Sequence, residues 1–83
     1  MTQKIELLVS GEEYIVTNPG TYTIYPDLNG GTASIEVKQE GMDRFHPIEN
    51  GTFDSDNAAT IYFSSQTLVK PTLTGEAKIT IVA

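Results

Sequence analysis

The amino-acid sequence predicts an all-β domain: seven or eight short antiparallel strands forming a small sandwich. Two observations carry this. Apolar residues recur at every second position in segment after segment, and no stretch shows a 3.6-residue apolar period. In addition, the seven glycines read as punctuation between those segments, at the spacing of turns in an all-β fold. A single domain, residues 1–83, accounts for the chain, because two independent cores do not fit in 83 residues.

Taken in order, Ile5, Leu7 and Val9 alternate with Lys4, Glu6 and Ser10, which predicts a first strand over 4–9 that stops at Ser10-Gly11. Tyr14-Ile15-Val16-Thr17 is β-branched and aromatic, and Asn18-Pro19-Gly20 turns it. Thr21–Tyr25 makes a third strand with Tyr22 and Ile24 on one face, closed by Pro26-Asp27 and Asn29-Gly30-Gly31. The following stretch organises the rest. Ala33, Ile35 and Val37 oppose Ser34, Glu36 and Lys38, Gly41 and Asp43 supply turn chemistry, and Phe45 and Ile48 begin a return strand, which together describe a β-hairpin. Pro47 lacks a ladder donor, so the return strand is expected at a sheet edge or with a bulge.

Glu49-Asn50-Gly51 reads as another turn, Thr52-Phe53 as a short extended piece and Asp54–Asn57 as a polar loop. Ala59, Ile61 and Phe63 alternate with Thr60, Tyr62 and Ser64 in a clear strand. Val69 and Leu73 share a face across Pro71, which again suggests an edge or bulge. After Gly75-Glu76 the last strand points Ala77, Ile79 and Ile81 inward, with Lys78, Thr80 and Val82 outward. Within this class the pattern fits an immunoglobulin-like or jelly-roll-like sandwich.

Composition narrows function by exclusion. Eleven acidic and five basic residues give a net charge of −6, and the five cations are scattered along the chain, so neither nucleic acid nor a membrane is an expected partner. With no cysteine and one histidine, neither a disulfide framework nor a zinc site is available, and no cofactor is expected. The N-terminal residues carry no signal-peptide pattern, from which a protein made in the cytoplasm is expected.

Chemical readings compete with plainer ones at each candidate. His46 could act as a general base, but no local nucleophile signature accompanies it, and an exposed or packed strand histidine is the simpler reading. Asp54, Asp56 and Asn57 offer hard oxygen ligands, yet Ala59 stands where a calcium loop needs glycine, so a solvated turn is expected. Tyr25 and Tyr62 oppose the apolar parity of their strands and so face outward, where tyrosines mark protein contacts; Val82 and Leu8 fit the same surface. Arg44, Phe45 and His46 of the hairpin join Tyr25 and Tyr62 as candidate interaction residues; no catalytic, metal or cofactor-binding residue is assigned, and the chain is read as no enzyme.

The order Gly30-Gly31-Thr32-Ala33-Ser34-Ile35-Glu36-Val37, a turn, Phe45-His46-Pro47-Ile48, then Gly51-Thr52-Phe53 resembles small β-sandwich virion proteins of tailed bacteriophages. The closing Thr74-Gly75 followed by an alternating terminal strand is similar too, so the resemblance runs over residues 20–83, with Phe45 standing where a tryptophan is expected. It implies a structural virion protein that decorates or cements the capsid, or an accessory part of the tail or of a head fibre. The partners implied are further copies of itself, as a homo-oligomer such as a trimer, and major capsid or tail proteins. A module recognising glycans or a host surface is the alternative.

Overall fold

In a computed structural model, which describes residues 3–83, the chain forms eight strands and no helix. They are β1 (Lys4–Leu7), β2 (Tyr14–Val16), β3 (Gly20–Asp27), β4 (Ala33–Gln39), β5 (His46–Phe53), β6 (Ala59–Phe63), β7 (Thr67–Leu73) and β8 (Lys78–Val82). Two antiparallel four-stranded sheets result: sheet A in the order β1-β8-β3-β6 and sheet B in the order β2-β7-β4-β5. Among consecutive strands only β4 and β5 pair with each other. Every other connection leaves its sheet, which is why the hairpin was the one pairing readable from local sequence.

The inward parities pack as a single core. Leu7, Ile24, Ile79 and Ile81 of sheet A and Val16, Ile35 and Val69 of sheet B are 0–2% exposed. Tyr22 fills the centre, its ring edge-on to Phe63 with centroids 5.6 Å apart, while its hydroxyl donates to the Asn18 carbonyl at 2.6 Å. The accessible surface of 4900 Å² compares with about 13,000 Å² for an unfolded chain of this mass, so about 62% is buried on folding. That is a small fraction by the standards of larger domains, and the stability of one copy alone is correspondingly modest.

Several expectations need correction. The first strand ends at Leu7, and Val9, expected inward, is 54% exposed because the chain leaves the sheet before reaching it. Pro26 does not close β3 but lies buried within it, paired with Ile79, at a point where pairing with β6 has already stopped at Ile24. Gly20 opens a strand and Gly51 lies inside one, so the glycines do not all fall between strands. Glu49-Asn50-Gly51 is no connection: it is a bulge within β5, where the partners of Ser34 and Glu36 jump from Thr52 to Pro47. Asn50 has φ 63°, and a Cβ on Gly51 would lie 2.9 Å from the Ile48 carbonyl oxygen, so the bulge folds back too tightly for a side chain there.

The two prolines expected at an edge or a bulge, Pro47 and Pro71, diverge. Pro47 lies on the edge strand β5, as expected. Pro71 lies in the interior strand β7, buried and opposite Ile35, with no register shift. Its carbonyl accepts from the Gly11 N–H at 2.8 Å on the flank away from β4, and the donor it lacks would point to that same flank. Strand β2 covers only Thr67–Val69 on this side; past it, the loop after β1 takes over, with Ser10 Oγ accepting from the Leu73 N–H at 2.9 Å. An interior proline is tolerated because a loop, not a strand, borders it.

Candidate functional site

The outward parity of sheet A assembles one surface from four strands. Registers place Lys4, Val82, Thr23 and Thr60 in one row, Glu6, Thr80 and Tyr25 in the next, and Thr21 beside Tyr62. Tyr25 and Tyr62 are 49% and 65% exposed, as their parity predicts. Tyr62 is one strand over from Thr21, four residues along from Tyr25, which separates the two rings' backbones by about 14 Å. Threonines and Val82 lie between them. The charges sit at the margins: Lys4 and Glu6 pair with each other on the edge strand at 3.2 Å, and Lys78 lies opposite Asp27 at the far end. Leu8, 55% exposed, lies beyond the end of β1 rather than within these rows.

Between the edge strands β5 and β6 the two sheets do not close, and a groove of about 400 Å³ opens there, lined by Val37, Met42, His46, Ile48, Tyr62 and Phe63 and, at one end, Gln39, Ser64 and Thr67. His46 reaches it because it pairs with Val37, whose side chain faces the core. A serine hydroxyl and the single imidazole therefore share one groove. Their chemistry is not coupled: Ser64 Oγ donates to Gln39 Oε1 at 3.0 Å, and Thr67 Oγ1 donates to the Ser64 carbonyl at 2.7 Å. The polar groups at that end satisfy one another, and the remaining wall is mainly apolar, with the His46 imidazole set in it.

Phe45 faces the opposite way. It precedes His46 by one residue and so falls on the outer side of sheet B, where the ammonium groups of Lys38 and Lys70 lie 5.1 and 4.5 Å from its ring centroid. Lys38 alternates with inward Val37 on β4, and Lys70 with buried Val69 and Pro71 on β7. Arg44 is exposed next to Phe45. Two of the cations are thus not scattered in space, contrary to the sequence reading: Lys38 and Lys70 meet on one sheet face, because β4 and β7 are neighbours and bring positions 32 residues apart close together. Of the candidate interaction residues, Tyr25 and Tyr62 share a face, Tyr62 also lines the groove with His46, and Phe45 belongs to a second surface, with Arg44 exposed just before it in the chain. Lys38 and Lys70 escaped sequence reasoning; their outward parity was visible, but their common target was not.

The polar loop after β5 is a clamp. Asp56 Oδ1 accepts from the Leu28 N–H at 3.0 Å, tying this loop to the β3–β4 connection, and Ser55 Oγ accepts from the Asn57 N–H at 3.3 Å. Among the described residues no three histidine, aspartate or glutamate side chains come together as metal ligands. Compared with protein-family models, curated proteins and solved structures, the chain matches none.

Proposed function

We propose that this protein is a non-enzymatic structural protein of a tailed-bacteriophage virion, one that decorates or cements the capsid by packing the outward face of sheet A against neighbouring copies and shell subunits. The observation that carries this reading is the pair of exposed tyrosines, Tyr25 and Tyr62, on a sheet face whose centre holds threonines and Val82 and whose charges are confined to the margins. Tyrosine, rigid and amphipathic, suits a contact that is wet before assembly and buried after it. The broad side of a molecule measuring 33 × 30 × 20 Å is large enough for a contact of about 800 Å² per partner. A domain of modest intrinsic stability gains from such assembly, and many weak contacts repeated around a symmetric particle add to a strong one.

The test is solution mass by light scattering across a concentration series, on the parent and on Tyr25→Ala and Tyr62→Ala. A defined oligomer, or binding to a preformed shell, that both substitutions weaken while the monomer keeps its melting temperature is the expected result. Assembly that survives both substitutions overturns the assignment of this face. Loss of glycan binding with assembly intact transfers the tyrosines to the alternative, a glycan- or host-surface-binding module.

A further inference from the structure

We infer that the outer face of sheet B around Phe45 is a second, separate docking site, and that its partner is an acidic polypeptide segment. In a chain of net charge −6, two ammonium groups converge on one aromatic ring, which places them no more than 9.6 Å apart. Neither ammonium is in a salt bridge: the only one among the described residues is Lys4–Glu6, and Glu36, the cross-strand partner of Lys70, does not close an ion pair with it. Lys38 and Lys70 are two of the chain's five basic residues, drawn to one ring from different strands. The ring holds the two flexible lysine stems in place, so less side-chain freedom is lost when an anion arrives.

The surroundings select a peptide among anions. Leu68 lies opposite both Lys38 and Ile15 in the ladders, Ile15 is 41% exposed, and Pro47 is exposed on the edge strand beside Glu36. A carboxylate-bearing segment with interspersed apolar side chains can meet the lysines and these apolar neighbours together. A nucleic-acid backbone would meet two cations set in a strongly acidic molecule, and its dense phosphates would be repelled elsewhere. Because this surface lies on the opposite sheet from Tyr25 and Tyr62, it does not depend on the virion reading.

The experiment is a ¹⁵N NMR titration of the full chain with a short poly-L-glutamate peptide, and in parallel with a single-stranded oligodeoxynucleotide. Poly-glutamate is expected to shift the amide resonances of Lys38, Phe45, Leu68 and Lys70, with little change at Lys4 or Lys78. The double variant Lys38→Ala, Lys70→Ala is expected to bind about tenfold more weakly and Phe45→Ala severalfold more weakly, while Tyr25→Ala binds as the parent does. Dispersed spectra of each variant report that it is folded. Shifts spread evenly over all five basic residues, no shifts at all, or tighter binding of the oligonucleotide than of poly-glutamate would each overturn the proposal.

Discussion

Replacing Gly31 by alanine probes how the β3–β4 and β7–β8 connections pack back to back. A Cβ at this position would overlap the Thr74 carbonyl oxygen outright and lie 2.9 Å from its carbon, where ordinary contact begins at about 3.5 Å. Both obstacles are backbone, so no rotamer change relieves them. The loops must part, and with them the Thr74 N–H bond to the Thr32 carbonyl at 2.9 Å and the Thr32 N–H bond to Thr74 Oγ1 at 2.8 Å. Two hydrogen bonds at about 1 kcal/mol each and an overpacking cost of about 1–3 kcal/mol give about 3–5 kcal/mol. A domain of this length has roughly 4–12 kcal/mol in all. With an unfolding entropy of about 170 cal/mol/K, even the lower figure lowers Tm by about 17 °C.

Urea and thermal unfolding followed by circular dichroism measure this directly, and Gly30→Ala is the control. Gly30 has φ 82° and open space where a Cβ would stand, so alanine there costs only the left-handed backbone, about 1–2 kcal/mol. If Gly31→Ala unfolds within about 0.5 kcal/mol of the parent, the size of an ordinary surface substitution, the packing argument fails. It fails equally if Gly30→Ala proves the more damaging of the two.

Two further substitutions test the fold's polar contacts. Tyr22→Phe keeps the buried ring but removes the donor to the Asn18 carbonyl, and a loss of about 1 kcal/mol in urea unfolding is expected; no loss would mean that the hydroxyl contributes nothing. Asp56→Ala releases the clamp on the Leu28 N–H and costs about 1 kcal/mol, whereas Asp56→Asn, which still offers an acceptor, retains most of it. The Tm of the parent is expected to be the same in calcium and in chelator; a rise with calcium would return a metal to the Asp54–Asn57 loop.

What the sequence determined by itself was the local alternation: which residues face in, which face out, and where one hairpin closes. Tyr25 and Tyr62 were placed outward correctly, and Ile79, Ile81 and Tyr22 inward, because side-chain direction in a strand follows from a period of two alone. Tertiary structure alone decided which strands are neighbours, since nearly every connection crosses between sheets and pairing partners then lie far apart in the chain. That choice buried Pro71 in an interior strand beside a loop, turned Glu49-Asn50-Gly51 from a connection into a bulge, and made Gly31, but not Gly30, a steric necessity. It also drew Lys38 and Lys70 onto Phe45. Direction across a strand is a local property of the backbone; proximity between strands is set by the packing of the whole core, and the surfaces of this protein depend on both.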